Sequence, residues 1–227
     1  PEPDWRTPGE TVAPMAALDE YFVATVVANP GLRPRVGNPD ELRSNRLDHT
    51  LDRLKHRVQA PEAGVAEACD GAVITALNEE TVVCAALANK GGINLVVTYE
   101  AFAVKMLGAL RQELIFARQL RRAGRAPGWL SMPLVLTSHT WENAKNEQSH
   151  QDPTLTEALL GEMQDGVRVI FPPDANAAQA ALRTVYSEYG RIVALVVPKR
   201  ELPVVLDAGQ ATALLRDGAL SLAHDPN

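Results

Sequence analysis

The loop at residues 137–153, "TSHTWENAKNEQSHQDP", gathers two histidines, a lysine and three acidic residues directly behind the apolar run "PLVL". Imidazole titrates near neutral pH and carboxylates can exchange protons, so such a group of side chains suits proton transfer to and from a bound ligand. A second acidic pair, Glu79 and Glu80, opens a stretch with helical periodicity. The chemistry of these two stretches depends on which elements of the fold position them.

Short β-branched runs alternate with longer helical segments from residue 72 onward. The predicted strands are "AVITAL", "INLVVTY", "MPLVLTS", "VRVIFPP" and "RIVALVVP", and predicted helices open at "NEE", "EAF", "PTLT" and "DAN". Continuous apolar strands separated by helices indicate a parallel sheet that is covered on both faces. The sequence therefore predicts an α/β fold, doubly wound, with a mostly parallel sheet and helices on both faces.

Three segments are expected along the chain: an N-terminal arm and helical linker at 1–59, an α/β domain at 60–205 and a C-terminal extension at 206–227. The first contains proline-rich residues, an amphipathic helix at 14–28 and a loop at 37–45 that leads to a charged helix. Because the chain begins "PEPDW" without Met, we expect its natural start to lie upstream.

In a parallel α/β sheet, ligands bind outside the carboxyl ends of the strands. This rule places "NEE", "TYEAF", the loop at 137–153, "FPPDAN" and "PKRE" along one edge of the predicted sheet. The polar loop is thus expected to form part of a ligand site.

Composition excludes several classes of partner. A formal charge of −6 and a pI near 5.4 provide no general attraction for nucleic acid or anionic lipid, and the basic run at 118–125 fits a solvated helix C-terminus. Cys69 and Cys84 lack metal-ligand spacing, so we interpret them as reduced, buried thiols of a cytosolic protein. With no membrane span or secretion signal recognised, we expect a cytoplasmic location and no nucleic-acid or membrane partner.

Six stretches, in order, resemble the middle, pyrimidine-binding domain of phosphoketolases, which are thiamine diphosphate enzymes of the transketolase superfamily. They are "NPDELRSNRL", "NEET", "TYEAF", "TSHTW…SHQDP", "VRVIFPPDAN" and "VALVVPK". The family stretches read GPDE-SNRL, SEHT, TYEAF, SHVWRQDHNGFSHQDP, RVYLPPDAN and VIVAGK. The resemblance covers most of the chain, and it implies the pyrimidine-domain fold type and thiamine diphosphate as the cofactor.

The resemblance gives Glu79 the role of the family glutamate that hydrogen-bonds N1′ of the cofactor's aminopyrimidine. Charge shifted onto N1′ favours the imino tautomer, which removes the thiazolium C2 proton, and the carboxyl must then be protonated or share a proton. From the residues alone, Glu79 could instead be a first-turn acid that complements a helix dipole. Glu80 is the neighbour that could be confused with it.

His150 matches a family histidine that faces the substrate and moves protons on the sugar hydroxyls and the enamine intermediate. Tyr99 and Asn146 match positions that line the same cavity, although Tyr99 could equally pack in the core. Lys199 and Ser44 match residues near the sugar phosphate. Arg125 is a weaker candidate for that anion, since lone cations at strand or helix ends are most often solvated.

Some positions depart from the family pattern. Lys145 replaces a catalytic histidine, and Glu147 replaces the glycine two residues further on, although Lys145 remains a candidate substrate ligand. A lysine cannot shuttle protons near neutral pH unless its pKa falls considerably. Val96 and Val97 replace aromatic residues, which implies less stacking surface near the cofactor ring. These changes argue against ordinary phosphoketolase turnover.

The Gly-Asp-Gly element that holds the diphosphate and Mg²⁺ in this superfamily is not found in the sequence, and the chain stops about where the third family domain would begin. The resemblance therefore implies a partner subunit that carries the diphosphate-binding domain, in a homodimer or heterotetramer. The predicted function is the pyrimidine-binding subunit or domain of a split enzyme, inactive alone, that cleaves a ketose, sugar phosphate or α-hydroxyketone and transfers a two-carbon unit. The alternative is a non-catalytic scaffold or binding module.

Overall fold

The computed structural model describes residues 1–142, 147–162 and 165–221. Its strands are β1 Thr11–Val12, β2 Arg33–Gly37, β3 His56–Arg57, β4 Glu67–Ala68, β5 Val73–Ile74, β6 Gly92–Tyr99, β7 Met132–Thr137, β8 Val167–Ile170, β9 Ile192–Val196 and β10 Leu202–Pro203. Its α-helices are α1 Pro14–Ala28, α2 Asp48–Leu54, α3 Glu79–Leu87, α4 Leu107–Arg122, α5 Thr154–Leu160, α6 Ala175–Tyr186 and α7 Ala208–Asp217. Short 3-10 segments cover Arg43–Asn45, Glu100–Met106 and Glu147–His150.

Eight strands form one sheet in the order β4-β3-β5-β2-β6-β7-β9-β8, and every pair in it is parallel. One face packs against α1, α2, α6 and α7, and the other against α3, α4 and α5. Alternate residues of β6 enter the two cores, because successive side chains of a strand point to opposite faces. The predicted fold class, a doubly wound α/β sheet covered on both faces, is confirmed.

Helix boundaries follow local sequence signals. Helix α1 begins and ends where predicted, with Pro14 in its first turn and Asn29 at its C-cap. The side chain of Asn78 accepts a hydrogen bond from the Thr81 backbone N–H and so caps α3 as expected. The long helix predicted from residue 100 instead begins as the 3-10 segment Glu100–Met106 before continuing as α4.

Strand β2, "RPRVG", was not predicted, yet it pairs with β5 on one side and β6 on the other. Its proline and two arginines give it too little apolar content to predict a buried strand. In the structure only Val36 and Gly37 are fully buried. Helix α7, within the predicted C-terminal extension, was not predicted either. The division of the chain at residues 59 and 205 stays a prediction, while β2 shows that the segment before residue 60 contributes to the central sheet.

The prediction that both cysteines are buried is wrong, because Cys69 and Cys84 are exposed. Cys84 lies on the outer side of α3, where Val82, Val83 and Ala86 take the inward positions. Cys69 follows the short strand β4 at the margin of the sheet. Separately, none of the helices in the described ranges is both long and apolar enough to cross a membrane.

Candidate functional site

A cluster of polar and aromatic side chains lies at the carboxyl ends of β6 and β9, as the edge rule predicts. The hydroxyls of Tyr99 and Ser44 share a hydrogen bond of 2.8 Å. The His150 ring packs edge-on against Tyr99 with the ring centroids 5.0 Å apart, and Lys199 Nζ lies 4.7 Å from the Tyr99 ring centroid. The fold thus brings the predicted site residues Ser44, His150 and Lys199 together around the fourth, Tyr99.

Glu79 is the first residue of α3, and it is only 5% exposed. Its Oε2 lies 2.5 Å from Lys105 Nζ but makes no contact with hydrogen-bond geometry among the described residues. Lys105 Nζ also lies 5.3 Å from the Phe102 ring centroid, and Phe102 is 5.4 Å from the His150 ring. Glu79 is therefore joined to the Tyr99 cluster through Lys105 and Phe102, neither of which the sequence analysis identified.

Asp40 is a further acid at this edge that the sequence analysis did not single out, although its motif "NPDE" was noticed. Its Oδ2 accepts a 3.2 Å hydrogen bond from the Tyr99 backbone N–H. Burial raises the pKa of Asp40, and the nearby charge of Glu79 adds to that rise, whereas the Tyr99 N–H acts against it. Two acids that influence each other therefore lie at this edge of the sheet.

Lys199 follows β9 and is half-buried beside Tyr99. Burial lowers the pKa of its ammonium, the carboxylates of Glu142 and Asp40 oppose this change, and the charge of Arg46 contributes to it. Arg46 adopts a left-handed backbone conformation, with φ of 60°, at the end of the 3-10 segment that carries Ser44. Lys199 therefore lies beside Tyr99, with Arg46 close enough to act on its pKa, and these cations and the two hydroxyls are donors suited to a phosphate or other anion.

The turn after β7 buries two more titratable groups. Ser138 has φ of 49°, and it is followed by His139, which is 4% exposed, as is Glu142. Glu142 Oε1 accepts 2.9 Å hydrogen bonds from the backbone N–H groups of Lys199 and Arg200. These bonds fix the turn after β7 to the turn after β9.

His139 was part of the quoted loop, but the sequence analysis gave it no role. Neither ring nitrogen of His139, nor Glu142 Oε2, has a hydrogen-bond partner within the described part of the chain. Burial lowers the pKa of His139, and this outweighs the opposing influence of Glu142 and Glu100. The imidazole is therefore neutral at neutral pH, with one donor and one acceptor unused.

Several predicted residues do not join this cluster. Arg125 lies beyond α4, whose end contacts Gly190 just before β9 begins, so it is at the opposite edge of the sheet. We therefore remove Arg125 from the site. Val96 and Val97 are fully buried on the two faces of β6, and the smaller stacking surface expected from them stays a prediction. Lys145 and Asn146 lie outside the described residues.

Several residues at this edge have the chemistry that the pyrimidine side of a thiamine diphosphate site would need. Glu79 Oε2 could pair with a ring nitrogen if Lys105 moved away from it, and Phe102 and Tyr99 offer aromatic surface at the same edge. The Lys105 ammonium is the competing partner for the same oxygen. In the described part of the chain, no group of three or more His, Cys, Asp or Glu residues is arranged to hold a metal ion.

Transketolases are among the solved structures with a similar fold. Transketolase from Leishmania mexicana superposes with a TM-score of 0.73 at 20% identity, over 99% of this chain and 30% of that one. A structure described as a split gene transketolase, inactive beta4 tetramer, has a TM-score of 0.56 at 15% identity, over 88% of this chain and 55% of that one. These likenesses show the fold.

The chain belongs to the D-xylulose 5-phosphate/D-fructose 6-phosphate phosphoketolase family, which matches residues 16–188. A probable phosphoketolase from Streptomyces avermitilis is 33% identical over 192 residues, which is 82% of this chain and 24% of the relative. The chain thus spans about a quarter of the length of the curated relatives it matches. Phosphoketolases and transketolases are thiamine diphosphate-dependent enzymes that also use a metal ion.

Proposed function

We propose that this chain supplies the pyrimidine-binding side of a thiamine diphosphate site in a phosphoketolase-like or transketolase-like enzyme. The observation that carries the proposal is Glu79, a buried carboxyl at the carboxyl edge of the sheet whose Oε2 is paired with the exposed ammonium of Lys105. Because that ammonium is on a long, exposed side chain, it can move to solvent and leave the oxygen to a ligand. The family membership of the chain supports the same role.

Each residue has a distinct part in the proposed site. The bound cofactor would supply a carbanion nucleophile. Glu79 would hold a proton at the pyrimidine nitrogen, while Phe102 and Tyr99 would exclude water from one side of the ring. His150, which touches both aromatic rings, would exchange protons with the substrate hydroxyls.

The proposed substrate is a ketose, a sugar phosphate or a related α-hydroxyketone, from which a two-carbon unit is transferred. Ser44, Tyr99, Arg46 and Lys199 would bind its oxygens and anionic group, because they combine two hydroxyls with two cations. Lys145 and Asn146 stay proposed substrate ligands on the strength of their motif alone.

The diphosphate and Mg²⁺ would be held by a partner subunit, so this chain alone would be inactive. The superfamily site forms between two domains, and a homodimer or a heterotetramer with the partner is the proposed assembly. The structural neighbour described as a split gene transketolase offers a precedent for the division of such an enzyme between two chains.

Reconstitution tests the proposal. The chain is mixed with a candidate partner that bears the Gly-Asp-Gly element, with thiamine diphosphate and Mg²⁺, and cleavage of a ketose phosphate is measured. Glu79→Gln should lower turnover by about 100-fold or more, in the range of a lost general acid–base group. Glu80→Gln is the matched control, since Glu80 is the exposed neighbour on the same helical turn, and it should retain activity. Equal activity of Glu79→Gln and the wild type would remove Glu79 from the mechanism.

A non-catalytic scaffold is the second candidate, and the ion pair between Lys105 and Glu79 favours it. That pair occupies the carboxyl that the cofactor would need. Thiamine diphosphate binding to the reconstituted complex, measured by calorimetry, separates the two functions. Binding that is lost in Glu79→Gln supports the enzyme, whereas a stable complex that binds no cofactor supports the scaffold.

A further inference from the structure

A groove of about 410 Å³ lies beside the Tyr99 cluster, between the turns that follow β7, β8 and β9. Its volume falls within the range of about 300–1,000 Å³ that is typical of small-molecule sites. The walls are mostly apolar, and they include Trp141, Phe171, Pro172, Pro198 and Leu202. None of Glu79, Tyr99, His150 or Lys199 lines it, so the groove is separate from the proposed cofactor side.

Two buried polar side chains line this apolar groove. His139 and Glu142 are each 4% exposed, and within the described ranges both ring nitrogens of His139 and Glu142 Oε2 have no hydrogen-bond partner. Leaving such groups unbonded costs about 1–3 kcal/mol each unless a ligand or solvent bonds them. The three polar atoms at this groove that have no described partner therefore point to a ligand that brings its own donors and acceptors.

The charges of the groove set the kind of ligand. Arg200 lies at the rim, and it makes no ion pair within the part of the chain that the structure describes. Glu142 supplies the opposite charge from the buried end, and the neutral imidazole of His139 lies between apolar surfaces. Among the described residues that line the groove, one cation without an ion pair and one carboxylate oxygen without a hydrogen bond give it no net charge but a fixed polarity.

The exposed aromatic walls of the groove indicate that the uncharged part of the ligand is apolar. Trp141 is 75% exposed and Phe171 is half exposed, so the mouth of the groove presents two aromatic surfaces to solvent. Exposed aromatic rings that line a groove offer apolar surface against which an apolar group can pack. The ligand must therefore combine an apolar body with two opposite charges.

We propose that this groove binds a zwitterionic amino acid with an apolar side chain. Its ammonium pairs with Glu142, its carboxylate pairs with Arg200, and its side chain packs against Trp141 and Phe171. His139 completes the site with one hydrogen bond to either charged group. This site does not depend on the proposed function, since it requires neither thiamine diphosphate nor a partner subunit.

Calorimetric titration of the chain with L-phenylalanine tests the proposal. Two matched ligands each lack one charge: 3-phenylpropionate has no ammonium, and 2-phenylethylamine has no carboxylate. L-phenylalanine should bind at least about tenfold more tightly than either, because each charged hydrogen bond is lost in one of them. If either truncated ligand binds as tightly as L-phenylalanine, or if L-phenylalanine does not bind at millimolar concentration, the proposal is overturned.

Two variants test which residue binds the ammonium of the ligand and which binds its carboxylate. Arg200→Gln should weaken L-phenylalanine about tenfold and leave 2-phenylethylamine unchanged, whereas Glu142→Gln should weaken L-phenylalanine and leave 3-phenylpropionate unchanged. Glu142→Gln keeps an acceptor for the two backbone N–H groups, and the exposed Glu201→Gln serves as a control outside the groove. If Glu142→Gln does not fold, the affinity of Arg200→Gln for L-phenylalanine tests the site by itself. Unchanged L-phenylalanine affinity in Arg200→Gln contradicts the site.

Discussion

Buried carboxylates have different hydrogen-bond partners in two regions of the molecule. In the helical layer, Asp174 accepts three backbone hydrogen bonds, from Ala177, Val205 and Leu206, and Asp19 accepts two at the start of α2. At the carboxyl edge of the sheet, Glu142 Oε2 has no hydrogen bond to a described residue, and Glu79 Oε2 is paired with the exposed ammonium of Lys105. The first arrangement ties backbone segments together, whereas the second leaves these oxygens without a backbone partner among the described residues.

The largest effect is expected from Asp174→Ala. Three backbone N–H groups lose their acceptor, and two of them fix the segment after β10 to the start of α6, so the free energy of unfolding should fall by about 3–5 kcal/mol. Urea denaturation measures it. Asp207→Ala is the control, because Asp207 caps α7 in an exposed capping box, and its loss should cost only about 1 kcal/mol. Equal losses of unfolding free energy in Asp174→Ala and Asp207→Ala would contradict the distinction between the buried and the exposed acid.

The next effect concerns pH. Burial raises the pKa of Asp19 to about 6 from 3.8, despite its two backbone hydrogen bonds. Between these values the folded state holds a proton that the unfolded state releases, so stability should fall as pH rises through this window. The fall is up to ~3 kcal/mol, since each unit corresponds to about 1.4 kcal/mol.

Asp19→Asn should remove this slope, because the amide does not titrate. The test compares free energies of unfolding of the two proteins in urea between about pH 4 and pH 7. A wild-type curve that runs parallel to that of Asp19→Asn would show that Asp19 titrates normally despite its burial.

A smaller effect is expected at the edge itself. Lys105→Met leaves the buried Glu79 carboxylate without its counter-ion, and stability should fall by about 1 kcal/mol, since the exposed ammonium is screened by solvent. Adding Glu79→Gln to Lys105→Met should recover most of the loss, because the unpaired charge is gone. A double variant that is less stable than Lys105→Met would contradict this account of the pair.

The smallest effect is expected at Glu80. Glu80→Gln should change the free energy of unfolding by no more than about 0.5 kcal/mol, because the side chain is exposed on the first turn of α3. Thermal denaturation at fixed pH is sufficient to check it. A loss above 1 kcal/mol would mean that Glu80, and not only Asn78, contributes to the start of this helix.

Periodicity and capping residues were enough to predict most of the sheet and its helices. Helix α1, the Asn78 cap and the five predicted strands follow from local sequence, because apolar runs there are bounded by proline, asparagine or other polar signals. Strand β2 was missed because its strand character comes from pairing with β5 and β6, and "RPRVG" has little apolar content of its own. Tertiary pairing overrides weak local preference in such strands.

The site could be predicted only where a motif marked it. Ser44, Tyr99, His150 and Lys199 come together as the motifs implied, since each follows or adjoins the carboxyl end of a strand. Lys105, Asp40 and Arg46 were missed because their contacts depend on the backbone geometry of a 3-10 segment, a bend and a helix cap, which residue spacing does not reveal. Arg125 was misplaced because helix α4 carries it to the opposite edge.

The central claim is that Glu79 holds the pyrimidine of thiamine diphosphate. A crystal structure of this chain in complex with its diphosphate-binding partner, the cofactor and Mg²⁺ tests it most directly. The account predicts a Glu79 carboxyl oxygen at a hydrogen-bond distance of about 2.7–3.2 Å from a pyrimidine nitrogen, with Lys105 moved away from it. A pyrimidine bound elsewhere, with Glu79 still paired to Lys105, would contradict it.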